Sequence, residues 1–256
     1  MDIRGQVPTP EKPIDRGYVL HTYPYRETSL ILQAWTEHHG RLGLVAKGAR
    51  RPKSASRTLL VPFQPLVLDW FGRGELKTLK TAEPAVPARP LAGTSLFPAF
   101  YLNELLLKLT HREDPHEALF AAYDEAIAAL RAATARQDVE PVLRRFEMRL
   151  LRELGYALEL TRDAGGAPIA AEREYWYVVE RGPVAAPEGE DTPGNAVKLN
   201  GHTLIDLERG RYESPATVSQ SKQLMRLLIN HSLGGQELAT RSLVRALGDM
   251  APKEPK

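Results

Sequence analysis

From residue 17 to residue 83 apolar and polar side chains alternate in short runs, the period-2 signature of strands with one buried face. Five runs stand out: GYVLHTY (17–23), TSLILQAWT (28–36), RLGLVAKG (41–48), VPFQPLVLDWF (61–71) and ELKTLKTA (75–82). In the second, Leu30, Leu32 and Ala34 share a face. Glu37-His38-His39-Gly40 joins the second and third runs at hairpin length, and Gly72-Arg73-Gly74 supplies the backbone freedom of a tight reversal between the last two. Five short antiparallel strands in so short a stretch predict a small barrel; the OB-fold is the first reading and an SH3-like barrel the second.

The Pro-rich stretch Glu83 to Pro98 ends that pattern, and helical spacing replaces it. Helices are predicted from Phe97 to His111, Pro115 to Ala133 and Glu140 to Leu154, then from Val218 to Leu233 and Thr240 to Leu247. Asp114-Pro115 reads as an N-cap followed by proline at the first helical position, and Gly155 stands where a helix-ending glycine belongs. Between Leu160 and Asn200 only YWYVVE offers a short strand. The expected organisation is an α+β multidomain chain. It comprises a disordered leader (1–15), a barrel (16–83), a linker (84–98) and a helical domain (99–256) with an irregular β insertion around 160–200.

Charge changes this picture. The whole chain carries 34 Lys+Arg against 32 Asp+Glu, but residues 1–83 hold 13 against 8, and the remainder 21 against 24. The basic excess is concentrated in RLGLVAKGARRPKSASR (41–57), where Arg41, Lys47, Arg50, Arg51, Lys53 and Arg57 meet no acid. Such self-repulsion suits a surface that meets polyanions, nucleic acid first among them. Tyr23, Tyr25, Trp35, Trp70 and Phe71 lie near strand ends beside Arg26, Arg41, Lys47, Arg73 and Lys77, the pairing of aromatic faces and cations that single-strand binders use. The two tryptophans sit within alternating strands and double as core candidates.

The chain has 0 cysteines, which removes disulfides, thiolate zinc sites and cysteine nucleophiles. No HExxH, GxxxxGK[ST], GxSxG or strand-borne GxGxxG occurs, no stretch reaches the length of an apolar membrane span, and the first 15 residues lack a signal-peptide core. The cluster His111-Arg112-Glu113-Asp114-Pro115-His116-Glu117 is read as a helix–helix junction with exposed charges. A metal-dependent nuclease using Glu113, Asp114 and His116 is the enzymatic alternative, and an RNA-binding OB protein of translation is a third reading. In LRRFEMRLLRELGY, Leu143, Phe146, Leu150 and Leu154 form an apolar stripe, with Arg145, Arg149 and Arg152 on another face and Arg144 between. The pattern by itself reads first as an ordinary amphipathic helix whose Glu147 and Glu153 neutralise its arginines, and second as a surface for a short acidic peptide ending in an apolar residue.

The fragments VLHTYPYRETSL, GRLGLVAKGAR, GRGELKTL and LRRFEMRLLRELGY, in this order and spacing, resemble the RecO recombination mediators in their proteobacterial form, over most of Arg16 to Gly155. LGGQELATRSLVRAL is similar to the family's C-terminal helix. The resemblance implies an N-terminal OB-fold and a helical domain, no catalytic residues, no cofactor, and a cytoplasmic role with the bacterial nucleoid in DNA repair and recombination. It implies binding of single- and double-stranded DNA, annealing of strands coated with single-strand-binding protein, and loading of the RecA recombinase together with RecR. The family's basic surface maps to Arg26, Arg41, Lys47, Arg50, Arg51, Lys53, Arg57 and Lys77. Its pocket for the C-terminal tail of single-strand-binding protein maps to Arg144, with Arg145 and Phe146 close by. Many relatives carry a four-cysteine zinc site after the LGY segment, where this chain has TRDAGG (161–166), so no metal is expected.

Overall fold

Alternation along the first five strands closes into a barrel in the computed structural model, which describes residues 14–87, 90–156, 158–187, 189 and 191–243. Strands β1 (Ile14–Tyr25), β2 (Ser29–Thr36), β3 (Gly40–Ala46), β4 (Leu66–Phe71) and β5 (Leu76–Pro84) pair in the closed order β1-β2-β3-β5-β4. This is the OB-fold order, which sets aside the SH3-like reading. One pairing differs from the all-antiparallel expectation: β3 and β5 run parallel, from Gly43↔Leu76 to Val45↔Thr78, because the connection holding the four-residue helix α1 (Ser56–Leu59) and β4 lies between them. Val19, Leu32, Ala34, Leu42, Leu44, Leu66, Leu68 and Trp70 fill the interior.

Strand β1 starts at Ile14, inside the stretch read as leader; the rest of that leader lies outside the described residues. The reason is Asp15. Its buried carboxylate accepts the His38 backbone N–H at 2.8 Å and contacts Nδ1 of His38 and of His39, both at 2.9 Å. These bonds fasten the β2–β3 turn to the first strand, so His38 and His39, read as loop residues, are held in place.

Residues 111–117 belong to the same compact unit as the barrel. They join the helices Leu96–Leu109 and Glu117–Ala132, as the sequence indicates, and they also pair with the barrel: Arg112 bridges to Arg41, and the Glu113 N–H donates to the Arg41 carbonyl at 3.0 Å. The His116 ring lies over Trp35 with centroids 6.5 Å apart, so Trp35 on the outer barrel face is 0% exposed. Gly40 permits this approach. Its φ is +64°, and a Cβ there would stand 2.1 Å from the Asp114 carbonyl oxygen.

The second unit holds α2 (Leu96–Leu109), α3 (Glu117–Ala132), α4 (Arg136–Glu153), a three-stranded sheet, α5 (Gly201–Glu208) and α6 (Pro215–Ser232). Helix α4 starts four residues before the predicted Glu140 because Asp138 accepts the backbone N–H groups of Ala135 at 2.9 Å and Thr134 at 3.1 Å. Helix α6 starts at Pro215, after Ser214 in extended conformation, where proline suits the first turn. The last predicted helix is described only to residue 243; its remainder lies outside the described residues.

The sheet joins β6 (Glu174–Val178), β7 (Gly182–Ala185) and β8 (Ala196–Asn200) in the order β7-β6-β8, all antiparallel. The loop before it is built on carboxylates. Glu159 accepts from the backbone of Thr161 at 2.8 Å and of Arg162 at 3.0 Å, and Asp163 accepts from Gly165 and Ala167, each at 2.9 Å. Hydrogen bonds from Thr161 hold the Glu159 carboxyl below its ordinary pKa.

Candidate nucleic-acid interface and partner pocket

The loop after β3 gathers the cations. The Arg50 N–H donates to the Thr28 carbonyl at 2.8 Å, and its guanidinium reaches the carbonyls of Arg26 and Glu27 at 3.4 Å, tying the loop to the β1–β2 turn. Bonds from Arg51 N to the Gly48 carbonyl and from Ser54 N to the Arg51 carbonyl shape the rest. Arg26, Lys47, Arg50, Arg51, Lys53 and Arg57 are all exposed, and among the described residues none of them forms an ion pair. Arg26 adopts φ +51° and rests its guanidinium 5.2 Å from the Tyr25 ring centroid.

Two predicted cations differ. Arg41 is half-buried, donates to Gln33 Oε1 at 3.2 Å, and has its pKa lowered by burial and by Arg112. Lys77 pairs with Glu113 at 2.5 Å, and its side chain is 11% exposed. Both serve the docking of residues 111–117. The same segment engages the residues of the nuclease alternative, since Glu113 holds Lys77 and His116 bonds Asp114 at 3.2 Å while stacking on Trp35.

Asp15, Glu37 and His38 are a triad of ligand-type groups whose atoms lie within 4.8 Å of one another. Its geometry is accounted for by hydrogen bonds. Burial pushes the Asp15 carboxyl up, but the bonds from His39 and His38 outweigh it and leave the pKa below the ordinary value; the bond to Asp15 raises that of His38. A histidine raised on folding contributes stability that is complete below its unfolded value and is lost as pH rises through its folded value. Asp15→Asn therefore lowers Tm more at pH 6 than at pH 8.5. Thermal melts of both proteins at the two pH values check this, and an equal loss rejects it.

In the helical unit a cavity of about 580 Å³ has apolar walls from Phe97, Pro98, Val139 and Leu143. Arg144 lines it, 5% exposed, with Nη1 3.1 Å from Glu147 and Nη2 3.8 Å from Glu140. Glu147 is buried and accepts from the Tyr101 hydroxyl at 2.6 Å; burial holds its carboxyl above the ordinary carboxylate value, and Arg144 offsets only part of that rise. Lys222 pairs with Glu140 at 2.7 Å, and Arg241 donates to Asn230 at 2.6 Å. Arg226 on α6 is exposed at the cavity and has no ion pair among the described residues.

Arg145 and Phe146 do not join Arg144. Successive helical residues are about 100° apart, and these two line a separate groove with Ala118, Ala122 and Ala126 of α3. Phe146 is 1% exposed with its ring edge toward Tyr123, and Arg145 lies over the Tyr212 ring at 5.3 Å. Sequence reading missed Arg226, Lys222 and Arg241, which come to Arg144 from far along the chain. The only sequence signal was the spacing of Lys222 and Arg226 on α6, KQLMR; Arg241 lies beyond that helix.

The family described as Recombination protein O N terminal matches residues 13–87, and Recombination protein O C terminal matches residues 92–241. The chain belongs to the RecO family. It is 51% identical over 230 residues to the DNA repair protein RecO of Nitrosospira multiformis, covering 90% of this chain and 93% of the relative. It is 48% identical over 236 residues to that of Aromatoleum aromaticum, covering 91% and 95%. The N-terminal RecO match spans the barrel and its cation loop, and the C-terminal match spans the helices around the cavity. Family membership assigns this RecO-family chain a role in DNA repair and recombination. Among the described residues no helix is long and apolar enough to cross a membrane.

Proposed function

We propose that the chain is a non-enzymatic recombination mediator that binds DNA through the barrel and the tail of single-strand-binding protein through the helical unit. The observation that carries the reading is the loop of exposed cations at 47–57, anchored by Arg50 and, among the described residues, ion-paired with no carboxylate. Fixed uncompensated charge releases counterions from a polyanion at little ordering cost. Neutralising two strands and holding both near one surface accelerates their pairing without bond chemistry. In the helical unit, the apolar cavity with Arg226 at its mouth suits an acidic peptide that ends in an aromatic residue. With strand and tail held together, the protein exchanges single-strand-binding protein for RecA, assisted by RecR.

Annealing of complementary oligonucleotides, bare and coated with single-strand-binding protein, tests this. Both rates rise with the protein present, and the strands remain intact with Mg²⁺. Acceleration of bare strands alone rejects the mediator role, and cleavage with Mg²⁺ rejects the non-enzymatic one.

A further inference from the structure

Strand pairing aligns five residues in one row across the barrel. Tyr23 pairs with Ile31, Ile31 with Val45, Val45 with Thr78, and Thr78 with Phe71. Directly paired residues point to the same face. Their sequence neighbours Leu30, Leu32, Leu44, Leu79 and Trp70 pack into the interior, which puts the row outside. At its two ends Tyr23 is 47% and Phe71 55% exposed, with Ile31, Val45 and Thr78 half-buried between them. At ~4.8 Å per strand, the two rings stand about 19 Å apart around the barrel surface. The His21 ring meets Tyr23 edge-on with centroids 4.5 Å apart and props it.

Single exposed apolar residues need no explanation, but this row has charge around it. Arg26 lies one residue beyond β1, Lys47 directly follows β3, and Arg73 lies two residues after Phe71; all three are exposed, and none is ion-paired among the described residues. An apolar platform bordered by unpaired cations matches a polymer with flat apolar faces on an anionic backbone. A duplex hides those faces in its stack, and a single strand offers them. Trp35 and Trp70, the larger aromatics, are 0% and 2% exposed and cannot take part.

We propose that Tyr23 and Phe71 are base-stacking posts for single-stranded DNA, so that the row recognises unpaired bases while the cation loop holds phosphates of either form. This rests on the DNA-binding reading above. The test is fluorescence anisotropy with a labelled oligodeoxythymidylate, an abasic oligomer of equal length and a duplex. Tyr23→Ala and Phe71→Ala each weaken oligodeoxythymidylate binding about tenfold, Tyr23→Phe retains it, and the affinities for the abasic oligomer and the duplex stay unchanged. Wild-type affinity of both alanine variants for oligodeoxythymidylate overturns the proposal, as does an equal loss on all three polymers. Failure of the wild-type protein to bind any of the three overturns the DNA-binding reading itself.

Discussion

Replacing Arg50, Arg51, Lys53 and Arg57 together by alanine lowers the dependence of single-strand affinity on salt by about 3 log units per log unit, at ~0.7 per phosphate contact. The structure supports counting all four, since each is exposed and none has an acidic partner among the described residues. The backbone bonds that shape the loop, Arg50 to Thr28, Arg51 to Gly48 and Arg57 to Ser54, survive truncation to alanine. The loop therefore keeps its backbone anchors while losing its charge and the long Arg50 guanidinium bonds to the carbonyls of Arg26 and Glu27. Titrations from low to physiological salt, with melting curves to confirm the fold, measure the slope, and an unchanged slope removes this loop from the interface. Lys77 behaves differently. Its charge is already engaged by Glu113, so Lys77→Ala loosens residues 111–117 and leaves the salt slope near that of the native chain.

Glu147→Ala costs about 3–5 kcal/mol of stability, the typical loss when one partner of a buried ion pair is removed. Arg144 at 5% exposure then keeps only the more distant Glu140, and the Tyr101 hydroxyl loses its acceptor. The double change Arg144→Leu with Glu147→Leu recovers most of that loss, because it removes both charges and leaves apolar volume. Urea denaturation of the single and double variants decides the point, and a cost below about 1 kcal/mol for Glu147→Ala rejects the pair as a structural element. Arg144→Glu would set a third carboxylate beside Glu140 and Glu147, so any binding loss would report damage to the fold. Arg226→Ala is the cleaner probe of the cavity: it is exposed, keeps stability, and weakens an acidic peptide ending in phenylalanine in fluorescence anisotropy.

Local rules located the strands because each has a face the core demands. Leu30, Leu32 and Ala34 betray β2 without knowledge of its partners, and Asp69 is the one polar interruption in β4. They failed where a segment is defined by what it packs on. His111–Glu117 leads into a helix as its sequence indicates, yet its backbone also pairs with Arg41, and Arg112 stands 71 positions from that partner, which periodicity cannot see. Helix α5, absent from the helices the spacing predicts, opens with Gly201, where a Cβ would run into the Ala170 carbonyl oxygen. Strands β7 and β8 are four and five residues long, with glycine or small residues at their ends, too short for alternation to register.

Period, turn chemistry and charge are local properties of the chain, and they suffice to place the barrel, the run of helices after it and the basic excess. Which charges and rings are available depends on the folded arrangement. Arg41, Lys77 and Arg144 were drawn into hydrogen bonds or ion pairs, Trp35 and Trp70 into buried positions, and Arg226, Tyr23 and Phe71 were left outside. Compensation and burial depend on residues distant in sequence that folding brings within a few ångströms, so no local pattern records them.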